Sequence, residues 1–165
     1  MVPSQPLFHP VRAALAALAA GTAAAVLSGC SSIAAVQSAD DAANPACASM
    51  MVVLPDVLAD LERRETNSQG TAAWGDPAQV VLRCGVTVPG PSTDPCVSVN
   101  GVDWVAREGT PGWTLTTYGR TPATEVLFDP NRVPSSTVLA ELAPAAAKIP
   151  AQGGCTSVDT SVDLP

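Results

Sequence analysis

A positive charge followed by a long apolar run divides this chain of 165 residues into two parts. Arg12 precedes about 15 mostly apolar residues, 13–27, which end at small residues just before Cys30. This order of charge, apolar stretch and small-residue cleavage site is typical of a secretory signal peptide. The alternative, a buried helix that ends at a free cysteine, is disfavoured because the run is shorter than the ~20 residues of a comfortable membrane span. We therefore expect residues 1–29 to be removed, leaving a mature chain that begins at Cys30.

The residues at the predicted cleavage site, Leu27-Ser28-Gly29-Cys30, resemble the lipobox of bacterial lipoproteins. In that motif the cysteine receives a diacylglyceryl group, and two or three acyl chains such as palmitate anchor a protein stably. The motif predicts lipidation of Cys30 and attachment to the extracytoplasmic face of the cell membrane. Residues 30–44 are small and polar, so we expect a flexible lipidated tether followed by one domain over residues 45–165.

The charge of the mature chain limits its partners. After Cys30 there are seven basic and fifteen acidic side chains, a formal net charge of −8. Nucleic acids and anionic lipids are bound by clustered Lys and Arg, so neither is an expected electrostatic partner. We expect no cofactor and no nucleic acid. The expected partners are the membrane, reached through the anchor on Cys30, and a cell-wall ligand or an envelope protein.

Four cysteines remain after Cys30, and an even number in an exported chain predicts two disulfide bonds. They are Cys47, Cys84, Cys96 and Cys155. No two have the Cys-x-x-Cys spacing that zinc or redox chemistry favours, so we expect no metal site. We favour pairing Cys84 with Cys96, which closes a local loop, and Cys47 with Cys155, which joins the ends of the domain.

Helices are expected at both ends of the domain. Pro55 lacks a backbone donor, so it separates a short helix or apolar turn over residues 47–53 from a helix over residues 56–64. Ser135 and the serine after it begin a C-terminal helix, which runs towards Ile149 unless Pro144 ends it early.

Strands are expected between these helices. Enrichment in β-branched residues, alternation of apolar and polar residues, and an Asn100-Gly101 turn predict strands at residues 80–86, 96–99, 102–105, 113–118 and 123–128. The expected fold class is α+β, with a small antiparallel sheet of about four strands packed on N- and C-terminal helices and stapled by disulfides.

Several short motifs occur in one order behind the lipobox. They are Trp74-Gly75-Asp76-Pro77, Leu82-Arg83-Cys84-Gly85-Val86, Val102-Asp103-Trp104 and Thr116-Thr117-Tyr118-Gly119-Arg120, followed by Pro122-Ala123. Together they resemble the actinobacterial domain-of-unknown-function family 3515, over roughly residues 47–155. The resemblance implies a secreted, usually lipid-anchored envelope domain, and it supplies no catalytic residues.

Catalytic constellations are poorly represented. A serine or cysteine hydrolase needs a histidine as general base, and the only histidine, His9, lies in the predicted signal. A Ser-Lys pair is also not indicated, because nothing in the sequence places a serine beside Lys148. The enzyme alternative is an envelope glycoside hydrolase that draws a carboxylate pair from Asp76, Asp103, Glu108 and Glu125. Any acidic surface offers such pairs. We therefore expect no enzymatic activity and assign no catalytic residue.

A binding module is the better hypothesis. Aromatic and arginine residues share one block of sequence and could frame a cleft for a glycan, a peptide or a carboxylate. The candidate surface consists of Trp74, Arg83, Asp103, Tyr118 and Arg120. Two alternatives stay open: these side chains, with Trp104 and Trp113, are core and turn residues, or the protein is a docking subunit of a membrane complex.

Overall fold

A computed structural model describes residues 33–109 and 112–156 of the chain. It contains two short helices and eight strands: α1 Pro45–Met51, β1 Val57–Leu58, β2 Leu61–Arg64, β3 Thr71–Trp74, β4 Val80–Val86, β5 Cys96–Val99, β6 Val102–Glu108, β7 Trp113–Thr117, β8 Ala123–Phe128 and α2 Ser135–Ala146. All strands join one antiparallel sheet in the order β1-β2-β3-β4-β8-β7-β6-β5. No helix in these residues is long and apolar enough to cross a bilayer.

The sheet corrects the expected fold class. A small sheet of about four strands packed on helices is wrong, because the protein is mostly sheet and has eight strands. The five strands from β4 onward lie where the sequence predicts them, and β1, β2 and β3 extend the sheet beyond them.

The predicted second helix over residues 56–64 is instead the hairpin of β1 and β2. Its two turn residues, Ala59 and Asp60, have positive φ values of 50° and 63°, as a tight type I′ turn requires. The turn is held from outside the hairpin, since Glu141 of α2 accepts the Ala59 N–H at 2.8 Å. A tertiary contact therefore stabilises the hairpin conformation of a segment whose local sequence pattern favours a helix.

The main hydrophobic core lies between the sheet and the two helices. Along β4, Val80, Leu82 and Cys84 are fully buried, as expected for alternate residues of a strand. Val138 and Leu142 of α2 pack in the same cluster. The helices thus cover one face of the sheet, and the side chains that alternate with the core residues form the opposite face, here called the open face.

The N-terminal segment, residues 33–44, packs on the domain. Ala34 forms a parallel β-bridge with Thr66. The side chains of Ala34 and Val36 are buried against Ala73 on the open face. The expected flexible tether is therefore wrong for these residues, while residues 30–32 lie outside the described part of the chain.

Two glycines accommodate this segment. Gly85 has a φ of 92°, and its carbonyl accepts the Asp41 N–H at 3.0 Å. Gly70 has a φ of 68°, and a Cβ there would lie 3.1 Å from that of Ala42. Small residues in the segment and glycines in the domain thus permit close backbone packing. The composition of the segment had instead suggested a flexible coil.

The four cysteines form two disulfide bonds, which confirms the expected bonds but not their pairing. Cys47 of α1 is bonded to Cys84 of β4, with a Cα separation of 5.8 Å. Cys96 of β5 is bonded to Cys155, with a Cα separation of 6.0 Å. The expected Cys84–Cys96 and Cys47–Cys155 pairs are wrong. Since β4 and β5 are four strand spacings apart, roughly 19 Å, a disulfide cannot join Cys84 to Cys96.

Candidate binding groove on the open face

The centre of the open face carries polar side chains from three neighbouring strands. Arg83 of β4 is directly opposite Glu125 of β8, and Glu125 is directly opposite Thr116 of β7. Side chains that face each other across antiparallel strands lie about 5 Å apart at Cβ. The register of the sheet therefore gathers residues 83, 116 and 125 into one transverse row.

Arg83 and Glu125 form an ion pair in this row. Arg83 Nε donates to Glu125 Oε1 at 2.5 Å, and Arg83 Nη2 contacts the same oxygen. The Glu125 side chain is 12 % exposed and that of Arg83 30 %. The Glu125 carboxylate is therefore mostly buried, and two donors of one guanidinium hold its Oε1 in a fixed position.

A groove of about 340 Å³ lies over the ion pair. Residues 37–40 of the N-terminal segment form one wall, and Val86, Thr87 and Pro89, at and after the end of β4, contribute to the lining. Its polar lining includes Gln37, Asp40, Arg83, Arg107, Thr116 and Glu125. The volume is at the lower end of the range for small-molecule sites.

A second ion pair stands at the edge of the groove. Arg107 Nε donates to Asp94 Oδ2 at 2.7 Å. The side-chain hydrogen bond from Arg107, with a smaller contribution from Ser92, holds the pKa of Asp94 below its ordinary value of 3.8. Both arginines of the groove are thus already paired with carboxylates.

The chemistry of the groove follows from these pairs. Because each guanidinium faces a carboxylate, the groove offers no surplus positive charge for an anion. Among the described residues, no protein group bonds Arg83 Nη1 or Glu125 Oε2. A donor and an acceptor on adjacent side chains match the C=O and N–H of an amide, or a pair of hydroxyls.

The predicted surface is not one cleft. Trp74 is fully buried in the main core, and its Nε1 donates to Pro55 O at 3.0 Å. Arg120 is also buried, and it donates to Ile149 O and to Gly101 O, the latter at 3.0 Å. Both residues are structural, which corrects their place in the candidate surface.

Of the other three predicted residues, Asp103 and Tyr118 are neighbours, whereas Arg83 lies on β4, three strand positions from β6. Asp103 of β6 accepts the backbone N–H of Cys155 at 2.7 Å, so it holds the C-terminal segment. Tyr118, half-buried, donates its backbone N–H to Asp103 O at 2.8 Å. Of the five, Arg83 is the one that lines the groove. Trp104 is fully buried and Trp113 is partly buried against the core.

The four carboxylates considered for glycoside hydrolysis are dispersed. Asp76 is exposed and pairs with Arg64 at 3.0 Å, and Glu108 is exposed at the end of β6. Asp103 and Glu125 are separated by two strands and two residues, roughly 12 Å between Cα atoms. The carboxylates of these two residues already have partners, since Asp103 accepts the Cys155 N–H and Glu125 accepts from Arg83.

Sequence reasoning missed Thr116, Arg107 and residues 37–40 as groove residues. Alternation along β7 carried a signal for Thr116, which lies between the buried Leu115 and Thr117. β8 does not alternate, because five of its six residues are buried and Glu125 is one of them. No local signal placed residues 37–40, because their position depends on packing against a distant strand.

A second depression, of about 370 Å³, lies at another part of the sheet. Its lining is more apolar and includes Val81, Trp113 and Leu127, with Arg132 at the rim. Gly109 and Gly112 also line it. Among the described residues of its lining, no ion pair like that of Arg83 and Glu125 is present.

Comparisons with known proteins give a family. A family model with the description "Protein of unknown function (DUF3515)" matches residues 9–153. No curated protein and no solved structure matches the chain.

Proposed function

The chain belongs to the DUF3515 family, and we propose that it is a lipid-anchored, extracytoplasmic binding module without catalytic activity. Its ligand site is the groove over Arg83 and Glu125. The ligand class is an amide-bearing polar molecule, such as an acetamido sugar or a peptide.

The observation that carries this proposal is the ion pair in the floor of the groove. A charged pair on a sheet face gives little net stability, because removing two ions from water offsets much of their attraction. Arg83 and Glu125 are nevertheless half-buried or more, fixed in geometry, and adjacent to a groove that a small molecule can enter. Such an arrangement suits recognition, which requires oriented donors and acceptors.

The choice of an amide over an anion rests on charge. A carboxylate or phosphate ligand would compete with Glu125 for Arg83 and would face Asp40 in the wall. A neutral amide instead uses Arg83 Nη1 and Glu125 Oε2 together and leaves the ion pair intact.

The absence of catalysis is supported by the residue inventory and the geometry. The only histidine, His9, lies in the predicted signal. Glu125 Oε1 is occupied by Arg83, and the four candidate carboxylates are dispersed. A general acid and base of the glycosidase kind need two carboxyls about 5–9.5 Å apart across one substrate.

Affinity measurements on groove variants test the binding proposal. The probes are N,N′-diacetylchitobiose and the neutral peptide N-acetylalanine methylamide, with succinate as the anionic comparison. Thr116→Val removes one hydroxyl and Arg83→Lys removes the fork, so each variant should weaken binding of the preferred amide probe by ~2–10-fold or more. Arg132→Ala, at the second depression, is the control and should leave affinity unchanged. Tighter binding of succinate than of either amide probe would contradict the ligand class.

The anchor has its own test. Cys30→Ala should abolish metabolic labelling with a fatty acid and release the protein from the membrane fraction. Labelling that persists in this variant would refute lipidation at Cys30.

A further inference from the structure

The second depression adjoins the groove along the strands of the open face. Each of the strands β4, β8 and β7 contributes a residue to the floor of the groove and, two positions away, a residue to the second depression. The three pairs are Arg83 and Val81, Glu125 and Leu127, and Thr116 and Thr114. Residues two apart on a strand lie on the same face, about 6.8 Å from each other. The two depressions are therefore neighbouring parts of one face.

The strand register places the residues of the second depression in a row of their own. Val81 is directly opposite Leu127, and Leu127 is directly opposite Thr114. This row lies beside the polar row of residues 83, 116 and 125. It offers two aliphatic side chains and the methyl group of a threonine, all of them half-buried. The open face thus carries an apolar row next to a polar row.

The same two walls border both rows. On one side, Val81 packs against the buried cluster that includes Val36, and residues 37–40, next in the N-terminal segment, line the groove. On the other side, Arg107 lines the groove and is directly opposite Thr114 of the second depression. Strands β8 and β7 form the floor between these walls.

We propose that the two depressions are subsites of one cleft and that its ligand is a peptide with an apolar side chain. This ligand class rests on the binding function proposed above and makes it more specific. The peptide amide binds at Arg83 and Glu125, and the side chain that follows it lies on Val81 and Leu127. Together the two depressions reach the middle of the volume range for small-molecule sites.

The apolar row favours a peptide over an acetamido sugar. In a peptide each amide is followed by a side chain, and a leucine side chain is long enough to cross the ~6.8 Å between the rows while the amide stays at Arg83. Its methyl groups gain from leaving water on Leu127. The hydroxyls beside an acetamido group on a sugar ring would lose hydrogen bonds to water there, and aliphatic side chains cannot replace those bonds.

Two peptide probes that differ only in the side chain test this ligand class. N-acetylleucine methylamide and N-acetylalanine methylamide carry the same two amides, and N,N′-diacetylchitobiose is the sugar comparison. In chemical-shift titrations of the wild-type protein, we expect the leucine probe to bind ~5–20-fold more tightly than the alanine probe, because part of its additional apolar surface leaves water. The leucine probe should also bind more tightly than the sugar. This comparison needs no substitution in the protein.

A substitution in the apolar row locates the second subsite. Leu127→Thr removes the aliphatic floor and introduces a residue that strands favour. The preference for the leucine probe should disappear in this variant, and the affinity for the alanine probe should be unchanged. Val97→Thr is the matched control, because it makes the same kind of change on the edge strand β5, outside the cleft, and should keep the preference. Thermal unfolding of both variants measures whether each is folded.

The outcomes distinguish the ligand class from the groove itself. Equal affinities of the two peptide probes for the wild-type protein, or tighter binding of the sugar, overturn the peptide class and leave the groove as a binding site. A leucine preference that persists in folded Leu127→Thr overturns the position of the apolar subsite. Absence of saturable binding by all three probes refutes the groove as a ligand site, and the peptide class with it.

Discussion

Asp41 donates its backbone N–H to the carbonyl of Gly85 at 3.0 Å, and a Cβ at position 85 would overlap the Asp41 carbonyl group. This contact joins the N-terminal segment to the end of β4. It lies beside the groove, because residues 37–40 immediately before it form one wall. The shape of the groove therefore depends on a segment that begins only a few residues after Cys30.

Gly85→Ala should destabilise the protein by more than the backbone strain alone. The residue has a φ of 92°, and the added methyl group would displace the N-terminal segment. Gly101→Ala is the matched control, since Gly101 has a φ of 77° and no atom lies within 4 Å of the place that its added methyl group would take. We expect about 1 kcal/mol of unfolding free energy lost at position 101 and at least ~2–3 kcal/mol at position 85. Equal losses of unfolding free energy in the two variants, measured by urea unfolding, would show that the close packing at Gly85 does not contribute to stability.

Peptide mapping of the non-reduced protein should recover Cys47–Cys84 and Cys96–Cys155. The bonded cysteines are 37 and 59 residues apart in sequence, so each bond should contribute on the order of 2–4 kcal/mol to unfolding free energy. The double variant Cys47→Ala/Cys84→Ala should also loosen the N-terminal segment, seen as faster amide exchange at residues 34–42. Recovery of a Cys84–Cys96 peptide would contradict the strand order itself.

Arg120→Ala should lower stability without altering the groove. Its guanidinium is buried and satisfies the carbonyls of Ile149 and Gly101. Removing it leaves both acceptors without this donor, so we expect a loss of about 2–4 kcal/mol. Arg132→Ala removes an exposed arginine and should change stability by no more than ~0.5 kcal/mol. A stable Arg120→Ala variant that loses probe binding would instead make Arg120 a ligand-binding residue.

The pKa of Asp94 should lie below 3.8 and should rise towards that value in Arg107→Ala. The lowered pKa means that the folded state releases the Asp94 proton more readily than the unfolded state does. The Asp94–Arg107 pair therefore contributes stability above about pH 3.8, and this contribution disappears as the pH falls through the folded-state pKa. Carboxyl chemical shifts in an NMR titration measure both values. An identical pKa in the wild type and the variant would show that Arg107 does not set it.

The strands from Val80 onward were predictable because local signals agree there. Burial alternates along β4 from Val80 to Cys84, β8 contains the β-branched Thr124 and Val126, and Asn100 and Gly101 supply positive φ values of 50° and 77° for the turn between β5 and β6. The hairpin of β1 and β2 was not predictable, since its turn lacks such a signal and is held by Glu141 from α2. Long-range packing therefore determines the conformation of this segment.

The candidate site was predicted only in part for a related reason. Arg83 was identified, but nothing local pairs it with Glu125, which is 42 residues away. Trp74 precedes a turn and Arg120 follows one, and both positions suggested exposed side chains. In the structure Trp74 is buried in the core, and Arg120 is buried with its guanidinium bonded to backbone carbonyls. Which face a strand residue occupies depends on register, and register is a property of the whole sheet.

The central claim is that the groove over Arg83 and Glu125 binds an amide-bearing ligand. The most direct measurement is an amide chemical-shift titration of the isotope-labelled protein with N,N′-diacetylchitobiose and, separately, with N-acetylalanine methylamide. The account predicts saturable shifts at residues 83, 116 and 125 and at residues 37–40 with at least one probe. Shifts confined to Trp113, Leu127 and Arg132, or no saturable shift with either probe, would contradict it.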